Sequence, residues 1–205
     1  MSRVRVTLIW AALATAIAVP VVAAAASPLL QWRDPVYIAG GFAGIVAMAL
    51  LVVQPMLVGG YLPGLSGQRG RRVHRGIGAV LVVAVVTHVV ALWVTSPPDV
   101  VDALLFRSPT PFSAWGVFAM WAVFMAALLA VLRRPLRLRP RTWRLAHTSL
   151  AAVTIVGSVV HAVLIEGTME TVSKVALCTI VLVAFVKVAA ELKVWAIRTR
   201  RRAGG

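Results

Sequence analysis

Acidic residues and cysteine are scarce in this chain of 205 residues. It has six Asp and Glu residues against 21 Lys and Arg, and a single cysteine. One cysteine cannot form an internal disulfide, and it excludes a zinc or iron–sulfur site built from several thiolates. Cys178 lies in an apolar run, so we interpret it as a small packing residue.

Charged residues of both signs make up only 13% of the chain, whereas 60% of it is hydrophobic. Soluble domains are about a quarter charged. Long apolar runs separated by short charged loops are typical of an integral membrane protein. The net charge of +15 does not indicate nucleic-acid binding, because the arginines lie between apolar runs and have no aromatic residues interleaved with them for stacking on bases.

We predict an all-α fold, an integral membrane six-helix bundle that forms one domain over residues 1–205. Each helix has roughly 19–23 residues, which is enough to cross a hydrocarbon core about 30 Å thick. The ranges are 6–26, 36–58, 74–95, 114–132, 147–165 and 173–195. The first range also resembles a cleaved signal peptide, but its 21 uncharged residues favour a membrane span.

Basic residues are distributed unequally between the two ends of these spans. The N-terminus, the second loop, the fourth loop and the C-terminal tail hold two, four, six and four arginines, whereas the opposite ends hold only Arg33, Arg107 and Lys174. The positive-inside rule therefore predicts that both termini are cytoplasmic. Five of the six acidic residues fall on the other side. The longest loop has about 18 residues, with room for one short interfacial helix.

The four histidines form two pairs with the same spacing. His74 and His88 lie on the third span, and His147 and His161 lie on the fifth, fourteen residues apart in each case. Fourteen residues make almost four helical turns, so both members of a pair share one face, about 21 Å apart. If the two spans face each other, His74 meets His147 at an inner level and His88 meets His161 at an outer level.

Two imidazoles at each level suit a haem iron, since neutral imidazole is a good iron ligand and bundles build cofactor sites from facing helices. Small residues lie four positions from each histidine and leave room for a macrocycle. They are Gly78, Ala84, Ala151 and Gly157. Two alternatives remain: histidines that only hydrogen-bond between helices, and a haem-free metal or proton pathway.

The segment RRVHRGIG, the two H-x13-H pairs and the basic loop ending in TWRLAH resemble the ferric-reductase-like transmembrane haem domain. That family includes ferric reductases, NADPH oxidases and the bacterial MsrQ/YedZ proteins. The resemblance implies two b-type haems with His74, His88, His147 and His161 as axial ligands. The chain has no G-x-G-x-x-G or P-loop motif and no flavin or nicotinamide domain. This departure from the larger members points to the stand-alone bacterial type in the cytoplasmic membrane.

The resemblance also implies a function. We expect an oxidoreductase component that passes electrons from a cytoplasmic flavoprotein, a flavin or a quinone to a ferric chelate or a periplasmic reductase. Arg72, Arg75 and Arg144 flank the inner histidines and are candidates to bind haem propionates. Histidine at both axial positions leaves the iron no open site, so we assign no catalytic residue. A quinone-linked anchor of the cytochrome b561 type and a haem-free transporter remain alternatives.

Overall fold

The structure is a computed structural model that describes the backbone of residues 2–203 and the side chains of residues 2–191. In this part of the chain it contains α-helices, one 3₁₀ turn at Pro28–Leu30 and no strand. The helices are α1 (Arg3–Ala25), α2 (Pro35–Val58), α3 (Gly67–Thr95), α4 (Pro97–Leu104), α5 (Pro111–Leu132), α6 (Pro140–Leu164) and α7 (Thr171–Ala203).

Six of these helices are long and apolar enough to cross a membrane. They are α1, α2, α3, α5, α6 and, over Thr171–Glu191, α7. The predicted all-α membrane bundle is therefore confirmed. The short helix α4 lies in the longest loop, as expected. The cytoplasmic position of both termini stays a prediction, and the side chains of the four tail arginines lie outside the described residues.

All six spans begin earlier than the hydropathy pattern predicts, and two of them do so by seven residues. α3 starts at Gly67 rather than residue 74, and α6 starts at Pro140 rather than residue 147. Arginine is a good helix former, so both helices continue through their basic flanks, and α6 also has proline in its first turn, where proline is favoured. The inner histidines consequently lie two turns inside their helices and not at the helix ends.

The bundle is built from two helical hairpins, α2–α3 and α5–α6, with α7 packed against α2 and α6. α1 packs mainly on α7 and only weakly on α2. The largest fully buried side chains are Leu62, Leu177, Val52 and Val181. α3 and α6 do not form an extended helix–helix contact. Their histidines project into the space between the two hairpins.

Candidate functional site

The structure brings the four histidines together as two facing pairs. The ring centroids of His74 and His147 are 6.3 Å apart, with an angle of 71° between the ring planes. The ring centroids of His88 and His161 are also 6.3 Å apart, and their planes are 82° apart. Each pair joins α3 to α6, so the fourteen-residue spacing does produce two levels along the bundle. At both levels the imidazole planes are close to perpendicular.

The outer histidines are anchored to the first helix of their own hairpin. His88 Nδ1 lies 2.8 Å from the carbonyl oxygen of Gly40 in α2, and His161 Nδ1 lies 2.9 Å from that of Phe112 in α5. A carbonyl oxygen only accepts, so both Nδ1 atoms donate. This bond selects the tautomer in which Nε2 carries a free lone pair. A histidine that binds a metal through one ring nitrogen usually donates from the other nitrogen in this way.

Two glycines let these rings approach α2 and α5. A Cβ atom at Gly44 would lie 3.2 Å from His88 Nδ1, and one at Gly116 would lie 2.8 Å from His161 Nδ1. Each glycine follows the residue with the accepting carbonyl by four positions, so the two share one helix face. α2 and α5 therefore use the same arrangement to position an outer histidine.

The inner histidines are held differently. His74 Nδ1 and His147 Nδ1 are buried, and their backbone contacts, with Gln54 in α2 and Ala126 in α5, fall outside the hydrogen-bond geometry of the outer pair. Trp143 stacks on His147 with 5.3 Å between the ring centroids and 10° between the planes. The guanidinium carbon of Arg133 lies 4.2 Å from the centroid of the Trp143 ring. Gln54 Nε2 donates to the backbone carbonyl of His74 at 3.2 Å.

The separation of the rings in each histidine pair is compatible with one metal between them. Two metal–nitrogen bonds of about 2.0–2.1 Å and an imidazole radius of about 1.15 Å separate trans ring centroids by about 6.3–6.5 Å. The observed 6.3 Å agrees at both levels. The described residues include no cluster of three or more His, Cys, Asp or Glu side chains. Two imidazoles suit a metal whose remaining ligands come from a macrocycle, as in haem.

Two of the small residues that were expected to leave room for a macrocycle are in contact with neighbouring helices. A Cβ atom at Gly157 would lie 3.0 Å from the carbonyl oxygen of Trp115 and 3.1 Å from Ala119 Cβ, both in α5. A Cβ atom at Gly78 would lie 3.3 Å from Gln54 Nε2. These two glycines therefore allow close packing on neighbouring helices, and their small size is not evidence of room for a macrocycle.

The predicted propionate-binding arginines lie near the inner level. Arg72, Arg75 and Arg144 are exposed, and no side-chain hydrogen bond or ion pair is recorded for them within the described residues. Arg144 lies three residues before His147 and so points to the same side of α6. Their role in binding haem propionates stays a prediction.

A polar cluster lies where the α2–α3 loop meets α7. The hydroxyl of Tyr61 donates to the carboxylate of Glu191, and the ammonium of Lys187 lies 4.6 Å from the centre of the Tyr61 ring. The hydrogen bond to Glu191 is the main reason that the pKa of Tyr61 is raised. Lys187 and Glu191, four residues apart on α7, thus both contact Tyr61.

Sequence reasoning missed most of the groups that orient the histidines. Gly40 and Gly44 were recognisable as a G-x-x-x-G pair, and Gly40 does allow close packing, since its Cβ would lie 2.8 Å from Ala91 Cβ. Nothing in the pattern connected Gly44 to His88 or Gly116 to His161. A tryptophan four residues before His147 was a signal for stacking, because residues four apart share a helix face.

Six apolar spans that bring four histidines together as two facing pairs define a multi-pass membrane protein with a helical bundle. A model of the family described as ferric reductase like transmembrane component matches residues 41–158, more than half of the chain, and the protein belongs to this family. The match includes His74, His88 and His147 and ends three residues before His161. Neither the comparison with curated proteins nor that with solved structures finds a match.

Proposed function

We propose that this protein carries electrons across a membrane through two b-type haems, one bound by each facing histidine pair. The observation that carries the proposal is the centroid separation of 6.3 Å at both levels, which suits trans ligation of an iron. Membership of the ferric-reductase-like family supports the same class of function. Bound haem supplies a one-electron carrier at each level.

His74 with His147, and His88 with His161, would each hold one haem, and their helices hold the two levels about 21 Å apart along the bundle. Two histidines at each iron would leave no open position for a substrate, which favours electron transfer over chemistry at the metal. At the outer level, the bonds from His88 and His161 to backbone carbonyls would make Nε2 a more basic donor.

We propose that electrons enter at the arginine-rich end, from a cytoplasmic flavoprotein, a flavin or a quinone, and leave at the opposite end. A cavity of about 370 Å³ lies beside the outer pair, with Arg33, Tyr37, Phe112 and Glu166 in its lining. The Phe112 ring in its wall is 5.8 Å from the His161 ring. This short separation supports an acceptor such as a ferric chelate or a periplasmic reductase at that end.

The polar cluster of Tyr61, Lys187 and Glu191 favours a second candidate, a quinone-linked membrane anchor of the cytochrome b561 type. A phenol, an ammonium and a carboxylate together offer the donors and acceptors that a quinone head group requires. Proteoliposomes with a reductant inside and ferric citrate outside separate the two candidates. Reduction of the external iron by a quinone-free internal reductant supports the conduit with a flavin or flavoprotein donor, whereas reduction only after quinol is added supports the quinone-linked anchor.

The first test is the haem content of the purified protein. We expect two b-type haems per chain, measured by pyridine haemochromogen assay against protein concentration, and a low-spin spectrum typical of bis-histidine ligation. A variant in which all four histidines are alanine is the control and should bind none. Wild-type protein without a Soret band would instead support a haem-free metal or proton transporter.

A further inference from the structure

The inner and outer levels orient their histidines by different contacts. Both outer rings donate from Nδ1 to a backbone carbonyl, at 2.8 Å for His88 and 2.9 Å for His161. The inner rings lie beside the backbone of Gln54 and Ala126, but neither Nδ1 reaches the hydrogen-bond geometry of the outer pair. The ring of His147 also stacks on the nearly parallel indole of Trp143. The plane of this ring therefore depends on stacking as well as on the weaker backbone contact.

Trp143 contacts both a histidine and an arginine at the arginine-rich end of the bundle. It lies one turn before His147 on α6, and the guanidinium carbon of Arg133 is 4.2 Å from its ring centroid. Trp143 Nε1 is buried without an acceptor among the described residues, so the indole is held through its ring faces. Stacking and cation–π contacts both stabilise such an arrangement.

We propose that Trp143, in contact with Arg133, is a positioning residue that fixes the ring plane of His147 and that the charge of Arg133 raises the reduction potential of the inner site. The proposal rests on the proposed function, since it requires a haem at each level. A parallel indole blocks rotation of the imidazole about its Cβ–Cγ bond. The positive charge of Arg133 favours the reduced state, which has one positive charge less at the iron.

The test compares Trp143→Leu with Trp143→Phe in purified haem-loaded protein. Electron paramagnetic resonance of the oxidised protein reports the angle between the axial imidazole planes, because nearly perpendicular planes give a strongly anisotropic low-spin signal. We expect Trp143→Leu to shift or remove the inner signal while the outer signal, an internal control, stays unchanged. Trp143→Phe retains an aromatic face and should restore the inner signal.

A redox titration tests the role of the charge separately. Arg133→Gln should lower the reduction potential of the inner haem and leave the outer potential unchanged, and the neighbouring Arg134→Gln is the matched control that should change neither. An inner signal unaltered in Trp143→Leu, or an inner potential unaltered in Arg133→Gln, would overturn the inference. Loss of both haems in Trp143→Leu would also overturn it, since a purely structural role predicts that result. Wild-type protein without haem would instead refute the proposed function.

Discussion

At the scale of single residues, two glycines control how closely the outer histidines approach their carbonyl partners. A Cβ atom at Gly116 would lie 2.8 Å from Nδ1 and 3.0 Å from Cε1 of His161, closer than the ring can tolerate. We therefore expect Gly116→Ala to displace the His161 ring and reduce the haem content from about two to about one per chain. The haemochromogen assay and the loss of one low-spin signal measure this change.

The other glycines provide graded controls for that prediction. At Gly44 the Cβ atom would lie 3.2 Å from His88 Nδ1, so a small shift of the ring should accommodate it, with the haem retained and its spectrum altered. At Gly76 in α3 no atom lies within 4 Å of the added Cβ, so Gly76→Ala should keep both haems. It should also stabilise the helix by about 0.5–1 kcal/mol, since alanine loses less backbone entropy than glycine. Equal haem content in all three variants would contradict the assignment.

The histidines themselves give the sharpest separation of the two levels. His88→Ala should remove the outer haem and keep the inner one, and His74→Ala should do the reverse, because the pairs share no ring contact. Redox titration of each variant should then give a single potential in place of two. If either substitution removes both haems, the two levels are not independent binding sites.

At the scale of the helix, α7 begins with a carboxylate cap. The carboxylate of Glu170 accepts hydrogen bonds from the backbone N–H groups of Val172 and Ser173, at 2.6 Å in each case, and from the Ser173 hydroxyl. These bonds favour the ionised form and lower the pKa of Glu170. A lowered pKa stabilises the folded protein above the pKa of the unfolded state, and this contribution disappears as the pH falls through the folded-state pKa.

We therefore expect Glu170→Gln to lower the thermal unfolding temperature in detergent at neutral pH. The difference from wild type should shrink as the pH falls below the ordinary glutamate pKa of about 4.3, and it should vanish below the lowered pKa of the folded protein, where the wild-type carboxyl is also protonated. Glu166→Gln is the matched control, because no hydrogen bond from a helix N-terminus to Glu166 is recorded in the described part of the chain. A difference between wild type and Glu170→Gln that does not vary with pH would argue against a charge-dependent cap.

The helix scale also explains how much could be predicted from the sequence. Hydropathy located all six spans, and helical geometry put His74 level with His147 and His88 level with His161, because rise and twist per residue are constant. The contact of Gly116 with His161 could not be predicted in the same way. α5 is apolar on every side, so its pattern does not indicate which face turns inward. That choice depends on how the hairpins dock.

At the scale of the whole molecule, the two hairpins repeat one design. In α2 a carbonyl at Gly40 and a glycine four residues later hold the His88 ring of α3. In α5 the carbonyl of Phe112 and Gly116 hold the His161 ring of α6. Both first helices run in one direction and both second helices in the other, as in parallel repeats related by an axis along the membrane normal. The stack on His147 has no recorded counterpart on His74, so the described inner level departs from this symmetry.

The direction of electron flow depends on which end of this repeat faces the cytoplasm, and cysteine labelling tests it. Gln31 precedes α2 and Gln68 lies in the first turn of α3, and both side chains are exposed at opposite ends of the bundle. The arginine distribution predicts that an impermeant maleimide added to intact cells labels Gln31→Cys and not Gln68→Cys. The only native cysteine, Cys178, is 3% exposed, so the wild-type chain is an unlabelled control. In permeabilised cells the maleimide should label both variants. That result would show that the cysteine of Gln68→Cys is reactive and is protected in intact cells by the membrane. Labelling of Gln68→Cys in intact cells would reverse the orientation, and the level of His74 and His147 would then become the exit side for electrons.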